Sequence, residues 1–109
     1  MAYDEALAAR IRAALASMPD ITEKKMFGGI GFMLRGNMCC GVMKDRLLVR
    51  VGPDAHDDTI AQPGVEPMVM GGRTSRGFVV IDQDALGSGA DLMEWIQRGL
   101  DFAGSLPSK

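Results

Sequence analysis

Residues 26–51 read MFGGIGFMLRGNMCCGVMKDRLLVRV. This stretch carries the strongest structural signal in the 109-residue chain. Apolar side chains recur there at every second position, which is the period of a β-strand with a buried face. Three successive runs show it: Ile30, Phe32 and Leu34; Met38, Cys40 and Val42; Leu47, Val49 and Val51. The stretch therefore predicts a three-stranded antiparallel meander.

Two short polar segments separate these runs. Gly36-Asn37 fits a two-residue hairpin turn with glycine first, where a positive φ is needed, and Lys44-Asp45 closes the next hairpin. The alternation leaves apolar residues on both faces of the meander. We expect two long helices to cover one face, and the short helix, a second subunit or a ligand to cover the other.

Helical periodicity flanks the meander on both sides. Leu7, Ile11, Leu15 and Met18 predict an amphipathic helix over residues 3–18, which Pro19 ends. A second apolar stripe predicts a helix over residues 90–103 with Trp95 buried, and consists of Leu92, Trp95, Ile96, Leu100 and Ala103.

The remaining elements complete an α+β fold, in which an antiparallel meander sheet carries N- and C-terminal helices. Strands are predicted near 23–27, 30–34, 37–43, 46–51 and 77–81, with a short helix within 53–62 and an extended segment at 66–70. Residues 71–77 are predicted to form a flexible turn, and residues 82–89 a loop with a brief helical turn.

Length and composition favour one cytoplasmic domain over residues 1–109, with a frayed tail at 103–109. No apolar run approaches the roughly 20 residues that span a bilayer, so no membrane partner is expected. The formal net charge is −2, and 12 basic residues are dispersed among 14 acidic ones. Because nucleic-acid-binding domains usually have a basic excess, direct DNA binding is not expected.

The motif Met26-Phe27-Gly28-Gly29, followed by Gly31, a turn, a methionine-rich strand and a leucine-rich strand, resembles the N-terminal domain of the TfoX/Sxy family of bacterial competence regulators. The resemblance implies a small α+β domain that stands alone or precedes a helical C-terminal domain. Two-domain members are linked to competence-gene activation together with a cyclic-AMP-responsive transcription factor. The resemblance thus implies a regulatory, transcription-related role.

The candidate ligand or partner surface comprises Phe27, Gly28, Gly29, Gly31, Arg73 and Arg76. The glycines precede a strand rather than a helix, which favours a bulge or close backbone packing over a nucleotide loop. Residues 72–77 could present backbone N–H groups and two arginines to an anion, although a solvated loop is the simpler interpretation.

Cysteine and histidine give little support for chemistry. Cys39 and Cys40 are adjacent, so in a regular strand their side chains point to opposite faces, which disfavours a disulfide between them. Too few ligands accompany them for a structural zinc site, and His56 is expected on an exposed polar helix. We therefore predict no catalytic residues, no metal and no cofactor.

Nine methionines are many for this length and are suited to filling gaps in a core or lining a partner-binding surface. In a regular register Met33 and Met43 share one face with Cys39 and Leu48. The other face carries Phe32, Cys40 and Val49.

These observations favour a non-enzymatic regulatory domain that binds a protein partner and self-associates as a homodimer. The alternative is a small-ligand or anion-binding domain, with or without enzymatic activity. It would use the groove at residues 28–31 with Arg73 or Arg76.

Overall fold

The computed structural model describes residues 3–26, 29–70, 72–86 and 89–107. It has an α+β fold, as predicted, with one six-stranded sheet in the order β1-β2-β3-β4-β6-β5 and every neighbouring pair antiparallel. The strands are β1 (Ile21–Met26), β2 (Gly29–Leu34), β3 (Asn37–Met43), β4 (Arg46–Arg50), β5 (Val65–Met70) and β6 (Arg73–Ile81). The helices are α1 (Glu5–Ala14), α2 (His56–Ile60), α3 (Gln83–Leu86) and α4 (Gly89–Gly104).

The β2–β3 hairpin turns one residue earlier than predicted. Arg35 and Gly36 have φ values of 49° and 86°, and Leu34 pairs with Asn37, which is already a strand residue. Positive φ at both central positions twists the chain in the sense that two antiparallel strands require. The prediction that Gly36-Asn37 forms the turn is therefore wrong, whereas Lys44-Asp45 closes the next hairpin as expected.

A β-bulge interrupts the register between β2 and β3. Phe32 pairs with Cys40, but Met33 pairs with Met38, so Cys39 is the extra residue on β3. The bulge also breaks the simple alternation of faces. Both cysteines are fully buried and their sulfur atoms lie 3.8 Å apart. The prediction that they point to opposite faces is wrong.

All four helices pack against one face of the sheet, where the main core lies. The apolar stripe of α4 is buried as predicted, and Trp95 is only 9% exposed. Helix α1 contributes Leu7, Ala8 and Ile11 to the same core but ends at Ala14, earlier than predicted. The ring of Pro19 would clash with the carbonyl of Leu15 in a continuing helix.

Several contacts tie the start of the chain to its second half. The backbone N–H of Asp4 donates to the carbonyl of Lys44 at 2.6 Å, and its side chain caps α1 by accepting from the N–H of Leu7 at 3.0 Å. The amide of Gln83 donates to the Asp4 carboxylate at 2.8 Å and to the carbonyl of Asp45 at 2.7 Å. One capping residue therefore joins α1, the β3–β4 turn and α3.

Of the segment predicted as a flexible turn at residues 71–77, residues 73–77 lie in strand β6, and Gly71 lies outside the described residues. Met70 pairs with Arg73 and Val69 with Thr74, so β5 and β6 form a hairpin. Glycine and serine made this segment look like a loop, but β5 supplies the hydrogen-bonding partner that a strand needs. At the other end of the chain, the side-chain amide of Asn37 donates to the carbonyl of Pro107 at 2.8 Å and anchors the predicted tail.

Candidate interaction surface

The sheet face opposite the helices has its own small apolar patch. The register places Gly31, Gly41, Leu48 and Val80 in one row across β2, β3, β4 and β6. Leu48 and Val80 are each 3% exposed but are not part of the main core cluster. We call this side of the sheet the open face. Its central residues are Gly29, Gly31, Met33, Met38, Gly41, Met43, Leu48 and Val80.

Three methionines give the open face its character. Met33 pairs with Met38 across β2 and β3, and Met43 pairs with Gly29; all three side chains are half-buried. A Cβ at Gly41 would lie 3.2 Å from the terminal methyl of Met38, so the glycine makes room for that side chain. Methionine adapts its shape readily, and such surfaces suit partners that differ in detail.

Charged and aromatic side chains surround this centre. Arg46 on β4 pairs with Glu66 on β5 at 3.4 Å across β6, and Lys24 lies opposite Gly31 on the other flank. At one end of the sheet, the guanidinium of Arg50 lies 5.3 Å from the ring centre of Phe78 and 5.2 Å from that of Phe102 in α4, so it also contacts the helix side. An apolar centre with a polar rim is the usual anatomy of a protein–protein interface.

The short helix α2 does not cover the open face. Thr59 in α2 and Phe102 in α4 line a common cavity of about 490 Å³, which places α2 beside α4 on the core side. Of the three candidates that the sequence analysis gave for covering this face, a second subunit and a ligand remain.

His56 is buried, contrary to the prediction that it lies on an exposed helix. It is 3% exposed, and its Nδ1 accepts a hydrogen bond from the backbone N–H of Gly77 at 3.0 Å. The ring therefore holds α2 against β6 next to the point where β6 begins to pair with β4. This contact gives His56 a structural explanation, and its neighbour Asp57 is paired with Arg76 at 3.2 Å.

The structure separates the residues of the predicted ligand surface. Gly29 and Gly31 lie on β2, whereas Arg73 and Arg76 lie on β6, three strand spacings or about 14 Å away. Phe27 and Gly28 lie outside the described residues. Arg73 and Arg76 are exposed, and the guanidinium of Arg76 makes two hydrogen bonds to the Asp57 carboxylate at 3.2 and 3.3 Å. The glycines and the arginines therefore do not form one anion site.

The bulge brings the two cysteines together beneath α4. The Cys39 thiol also lies 3.3 Å from the carbonyl oxygen of Phe32, to which it can donate. The contact with the Cys40 thiol lowers the pKa of Cys39, whereas the contact with Cys39 and burial raise the pKa of Cys40 well above its usual range. Sequence alternation alone could not reveal this pair, because it assumes a regular strand.

Within the described part of the chain, no group of three or more histidine, cysteine, aspartate or glutamate side chains is placed to hold a metal ion. None of the described helices is long and apolar enough to cross a membrane.

In a comparison with known families, the model of the TfoX N-terminal domain matches residues 13–103 of the chain. Searches of curated proteins and of solved structures found no significant match. The matched range contains the whole sheet and both glycine-lined strands of the open face.

Proposed function

Because the chain belongs to the TfoX N-terminal domain family, we propose that it is a non-enzymatic regulatory domain that binds a protein involved in transcription. It acts in the cytoplasm through its open face. The partner recognises the methionines of β2 and β3 together with Leu48 and Val80, and is oriented by the charged rim at Lys24, Arg46 and Glu66.

One observation carries this proposal: the sheet has an apolar centre on the face away from the helices. Two side chains there are almost completely buried without joining the main core, and three half-buried methionines lie on the same face on β2 and β3. The face is broad and is lined by side chains from at least four strands. A protein surface matches this breadth better than a small molecule, which needs an enclosed, concave site.

Other functions receive less support from the same residues. The alternative anion site would need Arg73 or Arg76 beside the glycines, but they lie on separate strands. A DNA-binding role would need a basic face, whereas the net charge is −2 and three of the arginines already pair with carboxylates at Glu23, Glu66 and Asp57.

The proposal is tested by capture of partners from the organism that encodes the chain, using a matched pair of variants. Met33→Glu places a charge in the open face, and Met93→Glu makes the same change at a 43% exposed position on α4. We expect the wild type and Met93→Glu to capture the same transcription-related protein. Binding by Met33→Glu should be at least about tenfold weaker, the effect of losing roughly 1.4 kcal/mol.

Circular dichroism and thermal unfolding of both variants establish that they are folded before capture is compared. Equal capture by the two variants would contradict a role for the open face. Light scattering provides the second readout, because self-association could also cover this face. A dimer that Met33→Glu converts to a monomer would assign the open face to a second copy and overturn the partner proposal.

A further inference from the structure

The cysteine pair at the bulge is independent of the open face. The two sulfur atoms lie 3.8 Å apart in contact, both residues are fully buried, and they are the two cysteines of the chain. In a regular strand, adjacent side chains would point away from each other. The extra residue in β3 instead turns both thiols toward the same place. This arrangement brings together two thiols that an oxidant can join as a disulfide.

We propose that Cys39 and Cys40 form a reversible redox-modification site, a vicinal dithiol that hydrogen peroxide converts to an intramolecular disulfide. In the first step, the thiolate of one cysteine attacks a peroxide oxygen and the O–O bond breaks; this gives a sulfenic acid and, after protonation, water. In the second step, the other sulfur attacks the sulfenic sulfur, an S–S bond forms and a second water leaves. Two thiols are oxidised and one peroxide is reduced.

The two sulfurs interact directly. Their contact lowers the pKa of Cys39 and, together with burial, raises the pKa of Cys40. The sulfur that ionises first attacks the peroxide, because the thiolate is the reactive form of cysteine, and the other sulfur resolves the sulfenic acid.

The buried surroundings favour a disulfide over a soft metal ion. Two thiolates holding a monovalent cation would leave a net negative charge in the apolar core, which is costly without a counter-charge. A disulfide is neutral. Because adjacent Cα atoms are about 3.8 Å apart, closer than in most disulfides, the ring is strained and easily reduced. Strained disulfides are the labile, regulatory kind.

Helix α4 is positioned to control and report this reaction. A Cβ at Gly99 would overlap the carbonyl oxygen of Cys39, so α4 packs directly on the bulge. Both cysteines are fully buried, so the oxidant reaches the sulfurs when the packing around the bulge opens. Closing the ring reshapes the backbone under α4, which also carries Trp95. Oxidation should therefore change the emission of that tryptophan.

The test treats the folded full-length chain with hydrogen peroxide, blocks free thiols with iodoacetamide and digests with trypsin. Cleavage after Arg35 and Lys44 releases residues 36–44, which hold both cysteines. We expect this peptide to lose two hydrogen atoms and to carry no alkyl group, and dithiothreitol to restore alkylation of both thiols. Oxidation of Met38 or Met43 adds oxygen and is distinguished by mass.

Cys39→Ser and Cys40→Ser are the matched controls, and neither should give the closed peptide. Gly99→Ala, which forces α4 away from the bulge, should speed closure. A monomer on a non-reducing gel and a reversible shift in Trp95 emission would support the proposal. Independent oxidation of each cysteine to oxygen adducts, disulfides between chains, or thiols that stay alkylatable throughout would overturn it.

Discussion

The close approach of α4 to β3 can be measured through Gly99. Replacing it by alanine places a methyl group against the carbonyl oxygen of Cys39 and 3.0 Å from its carbonyl carbon. Two opposing effects determine the result. Alanine is favoured over glycine inside a helix by about 1 kcal/mol. Overpacking a well-filled contact costs about 1–3 kcal/mol, and a backbone neighbour cannot rotate away.

The upper end of the overpacking cost applies here because the overlap is with backbone, so the net destabilisation is about 2 kcal/mol. The measurement is urea denaturation followed by Trp95 fluorescence. With a slope of about 2 kcal/mol per molar urea, the midpoint should fall by about 1 M. Gly104→Ala is the control on the same helix, because its Cβ would lie 3.7 Å from Leu34 Cδ2 in ordinary contact. Its midpoint should stay within about 0.3 M of the wild type.

If Gly99→Ala proved as stable as the wild type or more stable, helix propensity alone would explain its urea midpoint. That result would contradict the direct packing of α4 on the backbone of Cys39. A smaller slope of unfolding free energy against urea concentration would instead indicate a change in the surface area exposed on unfolding.

Three further predictions concern other contacts. His56→Ala leaves the buried N–H of Gly77 without its acceptor and should lower the free energy of unfolding by about 1–3 kcal/mol, measured by urea denaturation; an unchanged midpoint would contradict this contact. Hydrogen bonds from the Gln83 amide and the N–H of Leu7 lower the pKa of the Asp4 carboxyl in the folded protein. The ionised carboxylate therefore stabilises the fold at a pH above its unfolded pKa, and this stabilisation is lost as the pH falls through the folded pKa. Asp4→Asn retains a capping oxygen and should flatten the loss of stability as the pH falls below about 4; a wild-type profile in the variant would assign that loss to other groups. Fluorescence anisotropy with duplex DNA should give a dissociation constant no tighter than about 10⁻⁴ M at physiological salt, and a micromolar complex would make the chain a DNA-binding protein.

Sequence periodicity predicts much of this architecture. The alternation through β2, β3 and β4 and the apolar stripe of α4 are strong local signals, and the structure confirms both. Strand β6 was predicted only in its second half. Its first half pairs with β5, a contact between segments that no local composition specifies.

The candidate site was harder to predict, for specific reasons. The bulge at Cys39 depends on the pairing of two strands and has no signature in the alternation itself. His56 looked exposed because it adjoins Asp57 and Asp58, but Gly77 supplies a buried hydrogen-bond partner from a distant part of the chain. The open face follows from the side on which the helices pack, and an amphipathic helix does not specify that side.

The contacts of Asp4 bear on where this domain begins as a folding unit. The family match starts at residue 13. Before that residue, Leu7, Ala8 and Ile11 already belong to the core, and Asp4 joins three separate segments of the chain. A chain trimmed to residues 13–103 would lose most of α1 and expose the core beneath it. The part of the chain that matches the family is therefore shorter than the part that packs into one core.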